Sequence, residues 1–360
     1  MESTRPENAA DAQVSAATAF CRRMLPRVSR TFALNIPVLP APLDIVVTVA
    51  YLLCRIADTI EDESAAPDEE RAAQLAELTR VAELGPSWQP AARALAARIA
   101  GSLRQQAPDA ERDLCLGLPH VVACYAAQPV WSHGHVVKCI RAMTTGMAEL
   151  TACNGAPQGL ADLDETLLYC HYVAGTVGEM LTALFIGYSP ACHEHKEFLE
   201  ASAGSFGRAL QLTNILQDVR ADLERGSCWL PRTALTRHGL TPKQLVEPEY
   251  RAQALALLED LIAVAHREAK AAFEYTLRIP KSEPGIRTFC LWPLFNAVLT
   301  LRALQGNHEA FGPKRVKIQR SMVKLVMSVT SALVGFDRAL RLTFKGATMG
   351  LSREVSPALD

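Results

Sequence analysis

Apolar residues recur at intervals of three and four along almost the whole chain, and alternating apolar and polar runs are scarce. Ala, Leu, Arg and Glu dominate the periodic stretches. This pattern predicts amphipathic helices and not strands. Pro, Gly and polar residues cluster at 63–70, 154–163, 187–194, 225–242, 280–285 and 305–313, which are the expected breaks. Between them the spacing predicts about ten helices, among them 43–61, 165–185, 198–223, 250–278 and 285–304. The stretch 323–344 is interrupted by Lys324, Asp337, Arg338 and Arg341, so it reads as an amphipathic helix. No stretch reaches the roughly 18 apolar residues that a membrane span needs. No solenoid-like repeat occurs, and the breaks are short. The expected organisation is one all-α domain at 14–345, between a loose N-terminal tail at 1–13 and a loose C-terminal tail at 346–360.

Composition narrows the class. Of 360 residues, 49% are hydrophobic and 21% charged, which excludes a disordered chain. Lys and Arg number 37 against 38 Asp and Glu, a formal charge of −1, so no nucleic-acid partner is expected. The ten cysteines form no C-x-x-C pair and mostly sit in apolar runs, as buried thiols in a reducing compartment would. The first eleven residues are polar and acidic, unlike a secretory signal, and 352–356 is no anchor. A cytoplasmic protein without a transmembrane anchor is expected.

Two helix faces carry candidate chemistry. In the first, Tyr51, Arg55, Asp58 and Asp62 are spaced by four, three and four, on one polar stripe. Asp58, Glu61 and Asp62 crowd the helix C-terminus, where they repel one another and oppose the helix dipole. A divalent cation would remove that cost. In the second, Arg208, Gln211, Asn214 or Ile215, Asp218 and Asp222 share a stripe interleaved with Leu210, Leu212 and Leu216. Mg²⁺ takes oxygen ligands and is typically held by one or two carboxylates plus substrate phosphates. Two such faces across a cavity suit a diphosphate leaving group. Either stripe alone also fits a solvated face.

Other features read more plainly. Gly175 and Gly178 inside a helical run each cost roughly 1 kcal/mol relative to Ala, so each wants a close neighbour, either a helix or an isoprenoid chain. His133/His135 and His193/His195, at i, i+2, do not share a helix face and read as surface or loop histidines. His171 reads as a hydrogen-bonded core histidine, and 68–70 as an acidic helix start. The basic run Lys314-Arg315-Val316-Lys317 reads either as a solvated loop or as a cofactor phosphate contact.

Seven segments, in order from about Cys21 to Lys324, resemble the squalene and phytoene synthase family of head-to-head prenyltransferases. They are Ser29-Arg30-Thr31-Phe32, Tyr51 to Asp62, Gly146-Met147-Ala148-Glu149, Tyr169-Cys170-His171-Tyr172-Val173-Ala174-Gly175, Asn214 to Asp222, Phe289-Cys290 with Pro293, and Val316-Lys317-Ile318. The fourth is closest to the squalene synthase form. The resemblance implies an isoprenoid synthase fold around a central cavity that binds two farnesyl diphosphates and, being poor in water, protects a cationic intermediate from quenching.

 

In such a cavity the resemblance further implies Mg²⁺ held by Asp58, Glu61, Asp62, Asp218 and Asp222, and diphosphate held by Ser29, Arg30, Arg55, Arg208, Gln211 and Asn214. Guanidinium pairs with phosphate through two bonds. Tyr51, Arg55 and Tyr169 are the implied catalytic residues, with Tyr169 as the acid–base group. Phe32, Phe185, Phe289 and Trp292 are implied cavity walls whose ring faces stabilise cations. NADPH is the implied reductant, with Asn214, Lys317 and Arg320 as its contacts. The implied reaction condenses two farnesyl diphosphates to presqualene diphosphate and reduces it to squalene. A monomer is expected, with peripheral membrane contact for release of the apolar product.

The chain departs from the family pattern at four places: Gln217 and Ser227 where the family has Arg, Ala221 where it has Glu, and Gln319 where squalene synthases have Arg. Arg220, Arg225 and Arg320 lie nearby in sequence. The departures leave open a presqualene diphosphate synthase, a phytoene-type synthase or a terpene cyclase that lacks the reductive step. A non-catalytic helical binding protein is the third reading, which the intact acidic residues oppose.

Overall fold

The computed structural model describes the backbone of residues 5–85, 87–152 and 157–352, and side chains at 11–85, 87–149 and 157–352. Among the described residues there are seventeen α-helices and no strand beyond two isolated bridges, Ser64 with Leu103 and Leu160 with Pro231. The helices are thus more numerous and shorter than the periodicity suggests. Two compact units are distinguished: Met1–Glu149 with Ala183–Tyr188, and Leu150–Thr182 with Ser189–Asp360.

The first unit holds α1 (Arg5–Val28), α2 (Arg30–Asn35), α3 (Leu43–Glu63), α4 (Asp68–Ala82), α5 (Trp88–Ser102), α6 (Asp109–Leu116), α7 (Leu118–Ala126) and most of α8 (Val130–Ala152). Helix α3 packs on α7 and α1, and buries Leu43, Val46, Val49, Leu52, Leu53, Ile56 and Ile60 completely. Each such side chain contributes roughly 1.5–3 kcal/mol of transfer free energy. In the second half of the helix this leaves Tyr51, Arg55, Asp58 and the terminal Glu61, Asp62 and Glu63 half-exposed. Burial of the apolar face therefore fixes which way the polar stripe points. Ser29 caps α2, its Oγ accepting the Phe32 N–H at 3.1 Å, a common way to satisfy a first-turn donor.

The second unit holds α9 (Leu163–Cys170), the first part of α10 (Thr176–Tyr188), α11 (Pro190–His193), α12 (Lys196–Glu224), α13 (Arg232–Arg237), α14 (Arg251–Arg278), α15 (Pro284–Leu304), α16 (Arg320–Ala332) and α17 (Asp337–Ala347). Helix α12 packs along α14 and also touches α15, and α16 and α17 pack on α15. The helix expected at 165–185 is not continuous. A π turn at His171–Gly175 separates α9 from α10, with the Thr176 N–H bonding His171 O, five residues back. A Cβ on Gly175 would fall 2.5 Å from His171 Nδ1, so the glycine makes room for the imidazole. The amphipathic stretch at 323–344 is likewise two helices, parted at Leu333–Phe336, where Gly335 falls.

Two glycines account for how closely α12 meets this turn. A Cβ on Gly207 would lie 2.0 Å from Ala174 O, and one on Gly178 would lie 2.4 Å from Ala203 O. Only hydrogen fits at either position. The neighbour required by Gly178 is thus the α12 backbone. Nine cysteines are free and buried among the described residues, while Cys153 and residues 353–360 lie outside them. No described helix is long and apolar enough to cross a membrane.

Candidate active site

In the first unit the acidic stripe of α3 is organised by a guanidinium. Arg55 Nη2 donates to Glu111 Oε1 on α6, and Arg55 Nη1 lies 3.7 Å from Asp58 Oδ2. Arg55 Nε is buried without a hydrogen-bond partner. Burial pushes the Asp58 carboxyl up to about 7, Arg55 opposes that rise, and Asp62 and Glu111 add to it. The helix C-terminus bearing these acids is capped from α5's far side: Arg104 Nη1 donates to Asp62 O at 3.2 Å, and the Arg104 N–H to Glu63 O at 2.9 Å. A cation on the last carbonyls offsets the unfavourable dipole end.

Tyr51 stands one turn before Arg55. Its hydroxyl is raised above the usual tyrosine range by burial, and the side chain of Ser29 hydrogen-bonds it in opposition. The Phe32 ring lies 5.0 Å from the Tyr51 ring at a tilt of 42°. Ser29 thus joins the α2 cap to the acidic stripe, whereas Arg30, the first residue of α2, is exposed. Phe185, counted with this unit, is buried.

In the second unit the exposed side of α12 carries Arg208, Gln211, Asn214, Gln217 and Asp218. Two expected members of that stripe turn inward: Ile215 and Asp222 are buried. The helix rotates about 100° per residue, so positions seven and eight apart drift off a fixed line, and the open edge passes through Ala221 instead. Asp222 is paired with Arg225 at 2.5 Å. Asp218 is gripped by Arg315, with Nε 2.6 Å from Oδ1. Burial raises the Asp218 carboxyl, while Arg315, Arg225 and Lys317 oppose the rise. Arg208 Nε donates to Glu268 Oε2 at 2.9 Å and Nη2 to Ser205 Oγ at 2.9 Å.

Tyr169 is buried at the end of α9, stacked on Trp229 with ring centroids 4.1 Å apart and planes at 4°. His171 is half-buried, its Nε2 3.5 Å from Glu179 Oε1. Phe289 is buried on α15, and Trp292 Nε1 donates to Ser331 Oγ at 3.2 Å. Lys317 and Arg320 are exposed.

Sequence reasoning missed Glu111 and Glu268, and it singled out Arg315 only within the basic run, without its pairing to Asp218. Each lies dozens of residues from the group it pairs with, and no local spacing links them. Among the described residues no three His, Cys, Asp or Glu side chains converge to hold a metal unaided. Mg²⁺ needs only one or two carboxylates when substrate phosphates complete its shell. Asp58 with Asp62, and Asp218, are hard oxygen donors of that kind and fit the ion in that mode, whereas Asp222, expected as a ligand, is buried against Arg225.

The sequence pattern of the family described as squalene/phytoene synthase matches residues 25–322. The chain belongs to that family. Its relatives include the squalene synthase BSS of Botryococcus braunii, 29% identical over 329 residues, which cover 89% of this chain and 66% of that one. The chain thus spans just under two thirds of that relative's length. The squalene synthase of Dictyostelium discoideum is 28% identical, with 91% of this chain and 73% of that one covered. Among solved structures, a ligand complex of TcSQS superposes with a TM-score of 0.77 at 22% identity, covering 96% and 98% of the two chains. A squalene synthase HpnC from Alicyclobacillus acidocaldarius gives 0.56 at 17% identity, covering 84% and 97%. The all-α isoprenoid synthase fold implied by the sequence is therefore the observed one. Squalene/phytoene synthases are enzymes of the prenyltransferase type.

Proposed function

We propose that this member of the family condenses two farnesyl diphosphates head-to-head to presqualene diphosphate and reduces that product to squalene with NADPH. The observation that carries the reading is a pair of carboxylate sets, each paired with arginine: Asp58 beside Arg55, and Asp218 with Asp222 beside Arg315 and Arg225. Asp58, Glu61 and Asp62 on α3, and Asp218 on α12, would hold Mg²⁺, which would supply the charge neutralisation that makes a diphosphate a better leaving group.

The chain's own residues do the rest. Arg55, fixed by Glu111, orients a diphosphate, and Ser29, Arg30, Arg208, Gln211 and Asn214 add polar contacts. Tyr51, held by Ser29, aligns the leaving group. Tyr169, held flat against Trp229, relays the proton lost as the cyclopropane closes. Phe32, Phe185, Phe289 and Trp292 exclude water and offer ring faces to cationic carbon. Asn214, Lys317 and Arg320 would hold NADPH, which would supply the hydride of the second half. The apolar product would leave through peripheral membrane contact.

A second reading lacks the reductive step: a presqualene diphosphate synthase, a phytoene-type synthase or a terpene cyclase. It is favoured by Gln217, whose amide donates to Val316 O and brings no charge, and by neutral Gln319 before α16. Incubation with farnesyl diphosphate and Mg²⁺, with and without NADPH, followed by mass spectrometry of the extract, separates the two. Squalene formed only with NADPH supports the first. Presqualene diphosphate or a cyclised hydrocarbon in both incubations supports the second, and an untouched substrate contradicts both.

A further inference from the structure

Asp218 is already occupied. Arg315 meets it side-on, with Nε 2.6 Å from Oδ1 and Nη2 donating to Oδ2 at 2.7 Å. This two-pronged pairing engages both carboxylate oxygens. Arg315 comes from the irregular segment before α16, and residues 313–318 make no backbone–backbone hydrogen bond among the described residues. Side chains of α12 hold the segment instead. Gln217 donates to Val316 O, Arg220 Nε donates to Phe311 O at 3.0 Å, and Asp218 takes Arg315. The pair is reachable from solvent, with the Arg315 side chain 44% and the Asp218 side chain 27% exposed.

This geometry sets up a competition. A divalent cation needs an oxygen lone pair of Asp218. The guanidinium, which is always charged, holds both oxygens and would be repelled by an arriving cation. A cation that takes Asp218 therefore releases Arg315. The anion that accompanies the cation is a diphosphate, which accepts from the same two-pronged donor. Gln217 beside Asp218 carries no charge, and Arg220 is committed to the carbonyls of Phe311 and Val246. We infer that Arg315 is a diphosphate-binding residue of this chain, parked on Asp218 until a metal–diphosphate displaces it. The inference rests on the reading of Asp218 as a metal ligand.

Calorimetry on the full chain tests it with two probes: Mg²⁺ alone, and inorganic pyrophosphate in excess Mg²⁺. Removing the competing cation while removing the fork gives opposite signs. Arg315→Gln is expected to bind Mg²⁺ roughly tenfold more tightly and Mg²⁺-pyrophosphate roughly tenfold more weakly, about one charge-assisted hydrogen bond in each case. Arg315→Lys keeps the charge, loses the fork, and falls between wild type and Arg315→Gln on both. Circular dichroism establishes that the variants are folded. Loss of both affinities in folded variants would mean a structural role only, and two unchanged affinities would mean no role; either overturns the inference. Asp218→Asn tells the two failures apart. If it binds both probes as wild type does, the reading of Asp218 itself is wrong. If it weakens both while Arg315→Gln changes neither, Asp218 stands and Arg315 does not.

Discussion

Glu111 on α6 receives the guanidinium of Arg55 from the middle of the acidic stripe on α3. The bond turns a mobile arginine into a fixed one, with its Nε left unbonded. Glu111→Gln is therefore expected to loosen Arg55 while keeping the shape of the site. Turnover should fall with little change in helical content. Breaking a fully buried pair costs about 3–5 kcal/mol, and this partly exposed one should cost less, about 1–3 kcal/mol. Steady-state kinetics beside a thermal denaturation scan checks both parts. Full activity in Glu111→Gln would remove Arg55 orientation from the account.

Asp58→Asn and Asp218→Asn remove one carboxylate each. Asp58 is pushed up to about 7 by burial, so its neutral isostere should disturb the fold little. Loss of a direct ligand should exceed the ~10–100-fold effect typical of supporting residues. Consumption of farnesyl diphosphate at several Mg²⁺ concentrations measures it. Near-wild-type rates in both variants would contradict a catalytic role for these two carboxylates.

Gly178→Ala places a methyl carbon 2.4 Å from Ala203 O, backbone against backbone. Overpacking of this kind costs about 1–3 kcal/mol, so the melting temperature should drop. Gly134→Ala is the matched control, since nothing lies within 4 Å of the added carbon. It should be neutral or stabilise by up to about 1 kcal/mol. Equal melting temperatures for the two variants would contradict the close approach of α10 to α12.

Arg287 is fully buried and donates to Asp337 Oδ1 at 2.5 Å, while Lys281 Nζ lies 3.1 Å from Oδ2. Burial alone would raise the Asp337 carboxyl, but the bonds from Arg287 and Lys281 prevail and hold it below its ordinary value. A carboxyl lowered in the folded state adds stability above its unfolded value, near 3.9, and loses it as pH falls through the folded value. Asp337→Asn should melt earlier than wild type at pH 7, and the gap should close as pH drops below about 4. A gap that stays constant from pH 7 to 3 would rule out this linkage.

Much of the site was legible in the sequence because one helix face is a local property. The stripe through Tyr51, Arg55, Asp58 and Asp62 follows from spacing alone, and all four are half-exposed on α3. Apolar periodicity likewise placed α12, α14 and α15 to within two residues at each end. What periodicity could not show is where a helix changes its hydrogen-bond register. The π turn at His171–Gly175 keeps a helical look in sequence and is set by the tertiary approach of α12. Long-range charge pairs were equally hidden. Arg55 with Glu111, Arg208 with Glu268 and Arg315 with Asp218 each join residues at least 56 positions apart.

The most direct test of the central claim is the stoichiometry of diphosphate release. Head-to-head condensation to presqualene diphosphate frees one diphosphate for every two farnesyl diphosphates consumed. Reduction by NADPH frees the second. Released pyrophosphate would be measured against farnesyl diphosphate consumed, with Mg²⁺ present and NADPH either withheld or supplied. The account predicts a ratio of one to two without NADPH, rising to one to one with it. A ratio of one to one in the absence of NADPH would contradict it, because each substrate would then ionise without a reductive second step.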